Sequence, residues 1–244
     1  MSDKSFDVVV YGASGFTGKL VVEYLHQQYG DDQNFSWALA GRSQEKLTSV
    51  RDELGISKDV SVLIVDSNDE SSVIEMVTQT KCVLTTVGPY QLYGQNIIKQ
   101  CAQHGTDYVD LCGEPGWMHE MINEYSKQAE ETGARIVFSC GFDSIPFDLG
   151  VFFLQKEVIA KHGKPASSIR GRVRAMNGEF SGGTAASLGA TMASLKKKPE
   201  LFEVLANPFA LSNGFVGPDQ PRDHKPVFDE KLETWVAPFF MAPI

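Results

Sequence analysis

The chain has 244 residues, 42% of them hydrophobic and 22% charged, which is ordinary globular composition with enough apolar mass for one large core or two smaller ones. A net charge of -9 excludes a general nucleic-acid binder, which needs a broad cationic face; the compact basic run Lys196-Lys197-Lys198 reads as a solvated helix end ahead of Pro199. No apolar run approaches the roughly 18 residues of a membrane span, and the polar start Met1–Asp7 has no signal-peptide core, so a soluble, cytoplasmic chain without a transmembrane segment is expected.

Phe6 to Tyr11 is β-branched and aromatic and ends at a glycine turn, a first strand; Phe16 to Tyr29 follows at helical spacing, with Leu20, Val21, Tyr24 and Leu25 on one side. The alternation then repeats. Strands are expected over Phe35–Ala40, Val60–Val65, Cys82–Val87, Tyr108–Cys112 and Arg135–Ser139. Helices are expected over Gln44–Leu54, Glu70–Thr78, Gln95–His104 and Trp117–Thr132, with Gly105 and Gly133 ending the last two. The strands are near-continuous apolar runs, the mark of a parallel sheet covered on both faces. The expectation is a Rossmann-type doubly wound α/β domain over residues 1–147, strand order 3-2-1-4-5-6, followed by part of a second α+β domain over 148–244. In that second part, Asp148–His162 reads as a helix, and Ile169–Met176 as a strand with Arg170, Arg172 and Arg174 on one side, facing solvent or an anion. Ser181-Gly182-Gly183-Thr184 opens a helix over Ala185–Leu195, whose small residues permit close packing; Asn207–Pro226 reads as loop. No internal repeat or low-complexity tract is present.

Cysteines at 82, 101, 112 and 140 form no C-x-x-C, and the histidines at 26, 104, 119, 162 and 224 form no H-x-x-x-H, so no metal site is indicated. Cys82 and Cys140 fall in apolar runs and are expected as buried thiols.

The turn after the first strand carries the strongest motif, Gly12-Ala13-Ser14-Gly15-Phe16-Thr17-Gly18. Gly12 can leave the strand at a backbone angle other residues resist. Gly15 lets a pyrophosphate reach the backbone, and Gly18 lets the helix lie close to the sheet, with the helix N-terminus as an anion site. The spacing is G-x-x-G-x-x-G, where the common dinucleotide fingerprint is G-x-G-x-x-G. An NAD site usually has a carboxylate at the end of the second strand. Here that end reads Ala40-Gly41-Arg42-Ser43. Arg42 can make a two-pronged contact with a 2′-phosphate, Ser43 can donate to it, and Lys46 lies one turn on. NADP(H) is therefore the expected cofactor. Asp66 either meets the adenine or caps the following helix.

These residues resemble the saccharopine dehydrogenase-like oxidoreductases. The resemblance rests on G-A-S-G-F-T-G together with A-G-R-S, on Thr86-Val87-Gly88-Pro89-Tyr90, on Asp110-Leu111-Cys112-Gly113-Glu114 and on Ser181-Gly182-Gly183-Thr184. It is sharpest at Gly141-Phe142-Asp143-Ser144-Ile145-Pro146-Phe147-Asp148. It runs from residue 6 to the end of the chain and points to the branch that includes trans-acting enoyl reductases. Members of that family are longer, and the apolar ending Trp235–Ile244 reads as an interrupted chain.

The resemblance implies reduction of an imine, carbonyl or activated C=C bond in a small-molecule or lipid-like substrate. The loop from Thr86 through Val87, Gly88 and Pro89 is expected to border the nicotinamide. Its neighbours Tyr90, Tyr93, Glu114 and Asp143 are the proton-donor candidates, Tyr90, Glu114 and Asp143 foremost. Each also has a plain structural explanation: ring packing for the tyrosines, helix capping near Trp117 for Glu114, backbone bonding ahead of Pro146 for Asp143. Cys112 as a nucleophile would need a base that no motif supplies. No tyrosine is followed four residues later by lysine, which leaves a short-chain reductase only the glycine turn in its favour. Saccharopine itself would require paired carboxylate anchors that the sequence does not offer. An NADP(H)-binding scaffold or sensor without turnover stays open, as does a homodimer by analogy with similar folds.

Overall fold

A computed structural model describes residues 4–178, 181–220 and 225–239. Six parallel strands form one sheet in the order β3-β2-β1-β4-β5-β6. They are β1 (Phe6–Tyr11), β2 (Trp37–Gly41), β3 (Ser61–Ile64), β4 (Thr80–Thr85), β5 (Asp107–Val109) and β6 (Ile136–Val137). Helices α1 (Phe16–Tyr29), α2 (Gln44–Glu53), α3 (Glu70–Gln79), the four-residue α4 (Tyr90–Tyr93), α5 (Gln95–His104) and α6 (Pro115–Thr132) connect them. The doubly wound fold expected from the strand–helix alternation is the fold observed.

The register explains the apolar runs. Val9 pairs with both Ala38 and Val83, and Val10 with both Leu39 and Leu84. Alternate residues of β1 then serve opposite faces. Val9 and Tyr11 enter a core with Val73, Met76, Ile97, Cys101 and Met121 from α3, α5 and α6. Val10 enters a second core with Val22, Leu25, Leu47 and Val50 from α1 and α2. Both faces must be apolar, so alternation disappears from the sequence. Gly105 and Gly133 cap α5 and α6 in the left-handed conformation.

Beyond the sheet lie α7 (Ile145–His162), α8 (Gly182–Lys197), α9 (Leu201–Ala206) and an antiparallel pair, β7 (Val227–Asp229) and β8 (Thr234–Val236). None of these helices has a buried residue, and α7 leaves Leu149, Phe152 and Phe153 largely open. The strand expected over Ile169–Met176 does not form: the stretch has no regular structure and, among the described residues, no strand beside it to satisfy its backbone. Arg170, Arg172 and Arg174 are all exposed, and Arg172 pairs with Asp229 at 3.7 Å. In the loop expected over Asn207–Pro226, residues 221–224, His224 included, lie outside the described residues, as do 240–244 of the C-terminal apolar stretch. Among the described residues no helix is long and apolar enough to cross a membrane.

Candidate functional site

β1 and β4 are neighbours, but the chain leaves them for opposite sides of the sheet, which opens a crevice at their carboxyl ends. The glycine turn lines it. Gly12 sits at φ +91°, and a Cβ there would stand 2.7 Å from Val87 Cγ2 and 2.8 Å from Thr86 Oγ1. A Cβ on Gly18 would stand 2.0 Å from the Gly12 carbonyl oxygen, so α1 meets the turn with no room for any side chain. The turn is pinned by Gly12 N–H to Ala40 O (2.9 Å), Gly15 N–H to Gly12 O (2.9 Å) and Thr86 N–H to Tyr11 O (2.9 Å). Gly15, the N-cap of α1, is exposed and supplies no side-chain cap. The N–H groups of Phe16, Thr17 and Gly18 find no acceptor among the described residues. Ala13 is buried beneath the turn and Ser14 is half-exposed on it. A cradle that excludes side chains and presents open N–H donors at a helix start fits the pyrophosphate of a dinucleotide.

The bond from Gly12 to Ala40 brings the end of β2 to the same edge. Arg42 is exposed there and has no ion pair among the described residues. Ser43 caps α2 by accepting from Lys46 N–H at 3.3 Å, which leaves its own hydroxyl proton to donate. Lys46 is exposed one turn on. This cluster of free cationic and hydroxyl groups fits a 2′-phosphate and offers nothing to a 2′-hydroxyl that prefers a carboxylate. Of the two readings of Asp66, capping goes to another residue. Asp69 caps α3, while Asp66 accepts from Asn68 N–H at 3.0 Å within its own turn.

The loop after β4 is held from below. Tyr90 is buried and its ring stacks on Trp117. Its hydroxyl donates to Thr85 O (3.3 Å) and accepts from Leu111 N–H (3.4 Å), and burial pushes it above the ordinary phenol range. Glu114, also buried, makes no side-chain cap at α6 near Trp117. Its carboxylate instead accepts from Tyr90 N–H (2.8 Å), Gln91 N–H (2.9 Å) and Gln91 Nε2 (2.9 Å), closing the first turn of α4 from a distant segment. Asp143 is half-exposed and Tyr93 likewise. Cys112 is buried; desolvation, with the Asp110 and Glu114 carboxylates nearby, raises its thiol, so no thiolate forms there at neutral pH. The thiols expected to be buried, Cys82 and Cys140, are only partly so, whereas Cys101 and Cys112 are buried. Among the described residues no cluster of His, Cys, Asp or Glu could hold a metal.

Two contributions were missed by sequence reading. Asp110, buried, accepts from Tyr108 Oη (2.7 Å), Cys112 N–H (3.0 Å) and Ser139 N–H (2.8 Å), tying the ends of β5 and β6 together. Helix α8 returns to the loop after β4: Gln91 bonds Thr191 and Ser194, and Ser187 Oγ lies 3.4 Å from where a Cβ on Gly88 would be. The spacing of those three hydroxyls was a readable signal.

The profile of the saccharopine dehydrogenase NADP-binding domain matches residues 8–137. A candidate trans-acting enoyl reductase of Mycobacterium tuberculosis is 40% identical over an alignment of 249 residues, covering 98% of this chain and 59% of that protein. A lipid droplet localized protein of Caenorhabditis elegans is 49% identical over 158 residues, 62% of this chain and 36% of that protein. This chain thus spans less than two thirds of these relatives. The saccharopine dehydrogenase of Saccharomyces cerevisiae aligns with a TM-score of 0.52 at 18% identity, over 65% of this chain and 32% of that one, a likeness of fold.

Proposed function

Because the chain belongs to the saccharopine dehydrogenase NADP-binding domain family, we propose that it is an NADP(H)-dependent oxidoreductase. Its substrate is an imine, carbonyl or activated C=C compound, with an enoyl, lipid-linked one favoured. The observation that carries the cofactor choice is Arg42. Its guanidinium is free at the end of β2, beside a glycine turn with open N–H donors and without a carboxylate at that strand end. Residues 1–147 hold the cofactor: Gly12–Gly18 take the pyrophosphate, Arg42, Ser43 and Lys46 the 2′-phosphate, and Asp66 faces the adenine side. The Thr86–Pro89 loop lies at the nicotinamide, which when bound supplies a hydride. Residues 148–244 belong to the substrate side. The name of the mycobacterial relative supports the enoyl choice and that of the nematode relative a lipid-linked one; a cytoplasmic site of action is part of the same proposal.

The proton source follows by subtraction. Tyr90 and Glu114 already spend their polar atoms on the backbone, so both act by shaping the loop. Asp143 and Tyr93, both half-exposed, have no side-chain hydrogen bond among the described residues, and Asp143 is the donor we favour. The engagement of Tyr90 and Glu114 by the backbone keeps a second reading in play, NADP(H) binding without turnover.

Calorimetric titration tests the cofactor. The wild type is expected to bind NADPH at least tenfold more tightly than NADH, about 1.4 kcal/mol. Arg42→Asp is expected to abolish that preference while leaving NADH binding nearly unchanged. Equal losses for both nucleotides would refute the assignment. Steady-state NADPH oxidation against enoyl, imine and keto substrates, free and lipid-linked, separates turnover from binding alone.

A further inference from the structure

Helix α8 inverts the usual polarity of a surface helix. Its half-buried residues are Ser187, Ala190, Thr191, Ser194 and Leu195, spaced to share one face. Leu188 and Met192 point outward, each more than half exposed. Apart from Leu195 near its end, small and hydroxyl-bearing side chains therefore meet the sheet half of the molecule. An interface of that composition gains little from apolar burial, so its hydrogen bonds decide whether it holds.

Apart from Lys198 at the end of α8, which bonds Glu120 on α6, those bonds converge on one side chain. Gln91 Nε2 donates to Thr191 Oγ1 (3.4 Å), and Gln91 Oε1 accepts from Ser194 Oγ. The same Nε2 donates to Glu114 Oε2 (2.9 Å), whose carboxylate fixes the backbone of Tyr90 and Gln91. Gln91 thus bridges a rigid anchor and a helix whose other side-chain tie to the sheet half, among the described residues, is Lys198–Glu120 at its far end. Seven residues before Ser194 on the same face, Ser187 sits against Gly88.

We infer that Gln91 is a positioning residue. It latches α8 to the loop after β4 and thereby holds the Ser187 hydroxyl beside Gly88, at the nicotinamide end of the crevice. The consequence for the cofactor rests on the NADP(H) reading; the latch does not. Truncating Gln91 removes both bonds to α8 while Glu114 keeps its two backbone donors, so the loop persists and the helix loosens.

Hydrogen exchange on the full chain tests this, with and without NADPH, together with the emission lifetime of bound NADPH. In Gln91→Ala the amides of α8 are expected to exchange about tenfold faster in the free protein, with β1 and β4 unchanged. NADPH should still bind within about threefold of wild type, with a shortened emission lifetime. The double variant Thr191→Val, Ser194→Ala cuts the same bonds from the helix side; it must give the same result and serves if Gln91→Ala does not fold. Unchanged α8 exchange in the folded variants overturns the latch. Loosened α8 with unaltered NADPH emission overturns the positioning role. A wild type that binds no NADPH overturns the cofactor reading, while α8 exchange in the free protein still decides the latch.

Discussion

Replacing Gly18 and Gly15 by alanine separates what the glycine turn does for folding from what it does for binding. At Gly18 the new methyl would lie 2.0 Å from Gly12 O, 2.8 Å from Gly12 C and 2.9 Å from Ala13 Cα. All three are backbone atoms of a turn pinned to β2, so no side chain can swing away. Alanine's better helix propensity returns about 1 kcal/mol. Overpacking in a rigid setting costs about 3 kcal/mol or more, leaving a net loss of about 2 kcal/mol. For a chain of this size that lowers the melting temperature by about 4–8 °C. Gly15 differs. Its φ of -76° suits any residue, and its Cβ would meet only Gly12 O, at 3.2 Å. Gly15→Ala should melt within about 2 °C of wild type, yet lose at least about tenfold in NADPH affinity, because the methyl stands where a phosphate must approach. Thermal denaturation by circular dichroism and calorimetric titration read the two quantities. A Gly18→Ala protein as stable as wild type would refute the packing argument, and a Gly15→Ala protein that binds NADPH normally would refute the cradle.

Glu114→Gln places an amide NH2 against at least one buried backbone N–H, and urea unfolding should show a loss of about 2–3 kcal/mol; a loss under about 0.5 kcal/mol would mean that the carboxylate is not needed there. Alkylation of the native protein at neutral pH should label the half-buried Cys140 and spare the buried Cys101 and Cys112; peptide mapping that finds Cys112 labelled first would contradict this. The Lys81 hydrogen bond, then the Ser36 backbone N–H, hold Asp7 below its ordinary value of 3.8. A depressed carboxyl contributes its stability above the unfolded value and loses it as pH falls through the folded one. The stability gap between wild type and Asp7→Asn should therefore be full at neutral pH and close below about pH 3.8; a gap indifferent to pH would remove the ion pair from the account.

The sheet was legible because its physics is local and repeated. Near-continuous apolar runs such as Phe6–Tyr11, repeated between helical stretches, read as strands covered on both sides, and glycine caps at 105 and 133 marked two helix ends. The phosphate side of the crevice was legible for the same reason, since Gly12 to Gly18 and Arg42 lie next to strand ends that the alternation itself locates. Contacts between segments far apart in sequence were not. Glu114 looked like a cap for its own helix, but its partners are 23 and 24 residues away. Ile169–Met176 alternates as a strand does, yet alternation cannot supply the neighbouring strand that its backbone would need. Gln91 carried no local signal, since its importance comes from touching Glu114 and α8 together.

The brevity of β6 bears on how these molecules behave when crowded. At that margin the ladder ends after Ile136 and Val137, so another chain seeking to extend the sheet finds scarcely one repeat of open peptide groups before the backbone turns away at Ser139. Fibril growth through that side has almost no template, and a concentrated solution is protected there by geometry, without any help from charge.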